Sequence, residues 1–118
     1  MNIGQNVYID EGVIIGDNCK IQNNVSIYKG VLIGNNVFIG PSVVFTNDLY
    51  PKVEEWSEKR LIKTIVEDSV SIGANSTIVC GVTLMKNCLI GAGSVVTKDI
   101  PENKLAYGNP AKVVKDRN

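Results

Sequence analysis

The chain of 118 residues contains no histidine. That absence removes the side chain most often used as a general base near neutral pH, the imidazole that activates serine or cysteine nucleophiles, and the commonest metal ligand. Cysteine is scarce: Cys19, Cys80 and Cys88 are odd in number and form no C-x-x-C pair, so they read as reduced core or wall residues rather than a redox or metal centre. Charge of either sign is also missing in excess, with 12 basic against 12 acidic residues and no basic run able to track a phosphate backbone. No nucleic-acid partner is expected. No stretch approaches the roughly 18 consecutive apolar residues of a membrane-spanning helix, and "MNIGQNVYID" has neither a positive leader nor a signal-length apolar segment. The expectation is a cytoplasmic protein without a membrane partner, forming a single domain over 1–118.

What the chain has in abundance is repetition. On a six-residue frame, Ile3, Ile9, Ile15, Ile21, Ile27, Ile33, Ile39 and Phe45 recur, followed later by Val66, Ile72, Ile78, Leu84, Ile90 and Val96. Four residues after each stands a second small or branched side chain, from Val7 and Val13 through Cys19 and Val43 to Ser76, Ser94 and Ile100. Two inward positions per six fit neither a helix nor a simple alternating strand. Three residues after each aliphatic come Asn6, Gly12, Asn18, Asn24, Gly30, Asn36, Ser42, then Ser69, Asn75, Gly81, Asn87, Gly93 and Asp99. Asparagine and glycine enter the left-handed backbone region at least cost, so the chain is expected to turn once per hexad. Three strand-turn units then close a triangular coil, and each coil pairs with the next at about 4.8 Å.

These hexads resemble the hexapeptide-repeat acyltransferases, and the resemblance runs from Ile3 to about Val114. It implies an all-β fold, a left-handed parallel β-helix with one projecting loop and a short C-terminal segment of about 101–118. The left hand comes from the resemblance alone, because ordinary parallel crossovers are right-handed. The same fold hosts metal enzymes of the γ-carbonic-anhydrase type, which need histidine ligands; without histidine that reading falls, and no metal is expected.

The frame breaks once. Phe45 and Val66 are 21 positions apart where the repeat needs a multiple of six, so about 46–64 must project from the coil. In the galactoside and maltose acetyltransferase branch the corresponding excursion carries the catalytic histidine, and counting from "GPSVVFTNDLYP" puts Tyr50 at its position. A tyrosine with a pKa near about 10 is a poor base at neutral pH. An amine acceptor needs less help than a hydroxyl. With a pKa of about 8, roughly a tenth is free base at pH 7, a penalty near 1.4 kcal/mol, whereas orientation of the reactants recovers about 7 to 11 kcal/mol. The absence of histidine therefore points to N-acetylation. The strings "KIQNNVSIYKGV", "GPSVVFTNDLYPK", "SIGANSTIVCGVTL", "IGAGSVVTKDIP" and "GNPAKVV" resemble bacterial N-acetyltransferases of the 3-amino group of nucleotide-linked sugars.

The resemblance then implies roles. Asn47 holds the acceptor amine, and adjacent Asp48 either binds a sugar hydroxyl, attracts the charged amine or is a solvated turn residue. Gln22, Asn24, Tyr28 and Tyr50 are substrate-binding candidates, although Asn24 also sits at a turn. Ala74 and Ala92, eighteen residues apart, leave backbone groups open to the pantetheine arm of acetyl-coenzyme A, the expected co-substrate. Thr97, Lys98 and Lys112 match positions near its adenosine and phosphates. Cys80 is not expected to carry an acyl group, since nothing in the sequence activates its thiol. Flat faces with outward Val44, Val79 and Leu89 call for a homotrimer with each active site between two subunits. An O-acetyltransferase with an unusual base and a non-catalytic trimeric scaffold stand as alternatives.

Overall fold

The computed structural model describes residues 1–53 and 61–118. Among the described residues there is no helix; the hexads become fourteen short strands, and a C-terminal pair makes sixteen. The first coil holds β1 (Asn2–Ile3), β2 (Tyr8–Ile9) and β3 (Ile14–Ile15), and the second β4 (Lys20–Ile21), β5 (Ser26–Ile27) and β6 (Val31–Ile33). The third holds β7 (Phe38–Ile39), β8 (Val44–Phe45) and, after the excursion, β9 (Thr64–Val66). The fourth holds β10 (Ser71–Ile72), β11 (Thr77–Ile78) and β12 (Thr83–Leu84). The fifth has β13 (Leu89–Ile90) and β14 (Val95–Val96) and closes where Ile100 bridges to Leu84. A hairpin of β15 (Lys104–Gly108) and β16 (Ala111–Asp116) ends the chain.

Corresponding strands stack in parallel into three sheets. Sheet one runs β1-β4-β7-β10-β13-β15-β16, sheet two β2-β5-β8-β11-β14 and sheet three β3-β6-β9-β12. The expected turns are present: of the thirteen frame positions, all but Asp99 have a positive φ, from 57° at Asn6 to 102° at Gly30. Asp99 departs because the last coil is short there. Val96 still stands opposite Ile78, an offset of 18, but Ile100 stands opposite Leu84, an offset of 16. Two residues are missing from that corner, so no left-handed turn forms, and the Asp99 carboxylate accepts from the Thr83 N–H instead at 2.8 Å.

Both inward positions of each hexad fill the prism. Phe45, Ile21, Ile27, Ile39, Ile72, Ile78, Leu84 and Ile90 are the bulkiest fully buried side chains. Two inward serines break the apolar pattern and are satisfied internally, since the Ser76 and Ser94 hydroxyls both donate to the Gly91 carbonyl, at 3.2 and 2.6 Å. In the first coil the inward Ile3 and Ile9 stay 50% and 37% exposed, because only the second coil covers them. At the other end the hairpin closes the stack. Arg117 reaches back along one corner and donates to the Ser69, Asn87 and Cys88 carbonyls and to the Ser71 hydroxyl, at 2.8 to 3.3 Å.

The excursion starts and ends on the corner between sheets two and three. Val31 pairs with Thr64 at an offset of 33 instead of 18, so fifteen extra residues leave and return without changing the frame. The projection is slightly shorter than expected, since Thr64 is fully buried within β9; its residues 54–60 lie outside the described part. Leaving the coil has a hydrogen-bonding cost. Turn N–H groups elsewhere bond the carbonyl one coil below, as Asn75 does with Pro41 and Gly93 with Ala74. For Gly81 the matching carbonyl, that of Asn47, is taken by Ile62 N–H at 3.2 Å, and the Thr64 hydroxyl oxygen accepts the Gly81 N–H at 3.2 Å instead. The returning stem lies flat on two glycines. A Cβ on Gly30 would stand 2.7 Å from Leu61, and one on Gly81 3.1 Å from Ile62, and both backbones are left-handed.

Thr64→Val keeps the shape but removes the acceptor for a backbone donor, and should destabilise the fold by about 1 to 3 kcal/mol. Urea unfolding checks this: Thr64→Ser should stay near the parent, and a Thr64→Val midpoint equal to the parent's would show that Gly81 has another acceptor.

Candidate active site

The corner between sheets two and three carries side chains where the other corners are mostly glycine. Following the pairing of β2, β5, β8, β11 and β14, the residues after those strands stack as Asp10, Tyr28, Thr46, Val79 and Thr97, and the next as Glu11, Lys29, Asn47, Cys80 and Lys98. Asn47 is thus the last residue in phase with the coil before the chain departs. Its side chain is fixed from below, since Nδ2 donates to the Lys29 carbonyl at 3.1 Å. That assigns the donor end of the amide to the wall and leaves Oδ1 as its acceptor for a ligand. Thr46 braces the other side, its hydroxyl oxygen accepting from the Cys80 N–H at 3.0 Å.

Asp48 bends the exit. Its Oδ1 accepts the Tyr50 N–H at 2.9 Å, an Asx turn that swings the following residues away from the wall. The result is a cleft of about 210 Å³ lined by Tyr28, Thr46, Asn47, Asp48 and Pro51. Tyr50, at the position that carries the histidine in the galactoside and maltose branch, is not among the lining residues and is 78% exposed. Cys80 is buried within the same corner, and the three cysteines are all free thiols. Cys88, on a different corner, is pushed up to about 11 by burial.

In the coil below Tyr28 lie residues that sequence reasoning did not single out. Asp10 accepts the Glu11 N–H through Oδ1 at 2.8 Å and the Lys29 N–H through Oδ2 at 3.1 Å. The Lys29 N–H is the first cause that holds the Asp10 carboxyl below its ordinary range, with the Glu11 N–H and the Tyr8 hydroxyl adding to it against some desolvation. Tyr8, sharing its hydroxyl with that carboxylate, is raised for the same reason. The Tyr8 and Tyr28 rings meet with centroids 5.4 Å apart, tilted by 49°.

The other anticipated residues divide between two corners. Thr97 and Lys98 are exposed and lie two coils above Thr46 and Asn47 on the same corner. Gln22, Asn24, Ala74 and Ala92 lie across sheet two, on the corner between sheets one and two. Lys112 is near that second group: it pairs with Tyr107, which packs over Gly91 beside Ala92. Within one chain the structure brings together Tyr28, Asn47 and Asp48, and it does not bring Gln22, Asn24, Ala74, Ala92 or Lys112 to them. A larger depression of about 410 Å³ on sheet three, with Leu32 and Ile65 on its floor and Glu67 and Lys86 at its rim, contains none of the anticipated residues.

Comparison with known proteins matches this architecture. Family models for the bacterial transferase hexapeptide (six repeats) and for the hexapeptide repeat of succinyl-transferase match residues 12–47 and 63–98, the coils on either side of the excursion. The chain belongs to the hexapeptide-repeat acyltransferase family, and its prism is the left-handed β-helix of that family. Among curated relatives, the dTDP-3-amino-3,6-dideoxy-α-D-galactopyranose 3-N-acetyltransferase of Aneurinibacillus thermoaerophilus is 57% identical over 51 residues, 43% of this chain and 27% of the relative. The galactoside O-acetyltransferase of Lactococcus lactis is 34% identical over 113 residues, 93% of this chain and 53% of the relative. The chain thus spans about half the length, or less, of these two relatives. Among solved structures, a hexapeptide-repeat acetyltransferase of Vibrio cholerae complexed with acetyl-coenzyme A superposes with a TM-score of 0.79 at 29% identity, covering 98% of this chain and 70% of that one.

Proposed function

We propose that the protein is an acetyl-coenzyme A-dependent N-acetyltransferase acting on the 3-amino group of a nucleotide-linked aminosugar by direct transfer. The observation that carries this reading is the fixed amide of Asn47, whose Nδ2 is tied to Lys29 and whose Oδ1 remains as an acceptor in a cleft of a chain without histidine. An amide oxygen cannot take a proton at neutral pH, but it can accept an N–H bond from an amine and aim the nitrogen lone pair. The free amine attacks the thioester carbonyl, the C–S bond breaks, and the amine's surplus proton leaves to the coenzyme A thiolate or to water. Asp48, next to Asn47 on the wall, draws the acceptor's ammonium form or a sugar hydroxyl to the cleft. The kinship with the dTDP-aminosugar enzyme supports this acceptor class.

O-acetylation is the second reading, favoured by the fuller coverage of the galactoside enzyme. It requires a base that the cleft's own residues supply poorly. The two readings differ in what sets the acidic limb of the rate profile. With an amine nucleophile the limb follows the acceptor's own pKa and moves when the acceptor is changed.

The donor reading rests on the two corners. Lys98 and Thr97 stand above the cleft to meet a phosphate, while Ala74 and Ala92 offer open backbone on the far side of sheet two. A ring of three subunits that sets the loop corner of one against the small-residue corner of the next completes the site. This assembly also covers half-buried Val44, Val79 and Leu89.

Asn47→Ala should lower kcat by roughly five- to two-hundredfold, the loss of one orienting hydrogen bond worth about 1 to 3 kcal/mol. It should change acceptor KM less. Rate profiles on two acceptors of different amine basicity test the chemistry, and an acidic limb that stays fixed would assign the proton to a protein group. Lys98→Ala should raise KM for acetyl-coenzyme A and leave that of the acceptor in place. With the 3′-dephospho donor, mutant and parent should become equal; a persisting difference would remove Lys98 from that phosphate. Light scattering at micromolar concentration should give three times the chain mass of 12.8 kDa, and a folded monomer would refute the shared site.

A further inference from the structure

Asn47 does not rest on the regular hydrogen-bond ladder of the coil but on the carbonyl of a single residue, Lys29, at 3.1 Å. Lys29 is in turn held at its other backbone group, its N–H donating to Asp10 Oδ2 at 3.1 Å. That N–H belongs to the peptide joining Tyr28 to Lys29, so the same carboxylate oxygen also fixes the backbone of Tyr28. The second oxygen of Asp10 takes the Glu11 N–H at 2.8 Å, which stops the carboxylate from rotating. The Tyr8 ring lies against that of Tyr28, with centroids 5.4 Å apart. Two walls of the cleft, the aromatic one at Tyr28 and the amide one at Asn47, therefore converge on one carboxylate in the first coil.

We propose that Asp10 is a positioning residue for the candidate active site, setting the place of Asn47 through Lys29 and that of Tyr28 through the peptide that follows it. The inference rests on the reading of Asn47 given above but is separable from it. Asp10 itself touches no lining atom of the cleft by hydrogen bond; its effect is transmitted. A similar side-chain contact occurs on another corner, where Asp68 Oδ1 accepts the Asn35 N–H at 2.7 Å and bridges two coils. Asp68 therefore supplies a control with comparable structural worth and no connection to Asn47.

A double-mutant cycle with two readouts tests the proposal. Asp10→Ala should lower kcat roughly ten- to hundredfold, in line with misplacement of an orienting group, with KM for acetyl-coenzyme A unchanged. In the Asn47→Ala background the same substitution should cost several-fold less, because one of the two groups it positions is already gone and only the effect on Tyr28 remains. Asp68→Ala should match the loss of thermal stability without the loss of turnover. The second readout needs no acceptor: the side-chain amide signals of Asn47 in a nitrogen-15 spectrum, identified by their disappearance in Asn47→Ala, should move in Asp10→Asn and stay in Asp68→Asn. Independent, multiplying effects of Asp10 and Asn47 on kcat, or equal turnover loss in Asp68→Ala, would overturn the proposal. An Asn47 signal unmoved by Asp10→Asn would do so even in a protein that acetylates no amine. A moved signal in a chain inactive toward amines would keep the positioning role and remove the N-acetyltransferase reading instead.

Discussion

Everything in this molecule depends on the backbone hydrogen bonds between successive coils. Each coil strand has two or three residues, too few to be stable as an isolated ribbon, and it persists because its N–H and C=O groups are taken by neighbouring coils. This fixes the coil at eighteen residues and forces three turns into each, because strand residues must face strand residues of the next coil. A turn residue that can occupy the left-handed region is then required at each corner, and the inward side chains have to stack in columns whose members fill the prism together. Sequence, register and core are one constraint expressed three ways.

Function enters where the constraint is relaxed without being broken. The excursion adds fifteen residues between β8 and β9 and returns in register, so the coils above it are unaffected. Its hydrogen-bond deficit is made good locally by two threonine hydroxyls, and the space for its stem comes from two glycines that the turns required anyway. The cleft residues therefore sit on a rigid corner even though they open a loop. That suits a site whose chemistry relies on orientation rather than on a strong base.

Most of the fold was legible because a period of six is a strong signal repeated many times. The inward columns and twelve of thirteen turns lie where the frame placed them. Asp99 was not predictable from its own hexad, since the reason for its departure is the shortening of the last coil, visible only once Ile100 is paired with Leu84. At the site, the position of Asn47 followed from the break in the frame, and Tyr28 from the strings around it. The separation of Gln22 and Ala74 from Asn47 was also implicit, because eighteen residues make a coil and residues six apart lie on different corners. Asp10 escaped notice for want of that longer period. The residue after each aliphatic is glycine at most places on the other two corners, yet on the loop corner it is Asp10, Tyr28, Thr46, Val79 and Thr97 in succession. Read at a period of eighteen, that column marks the corner of the prism that carries the candidate site.

The guanidinium of Arg117 bears on how the chain reaches this state. It binds carbonyls of Ser69, Asn87 and Cys88 together, and these groups approach one another only when the third, fourth and fifth coils are stacked in register. A coil slipped by one hexad would present the wrong carbonyls and leave the arginine unmatched. In a repetitive chain, where a slipped register still buries apolar side chains, Arg117 thus contributes a contact that is not repeated from coil to coil. Arg117 acts as a check on the winding of the coils it spans.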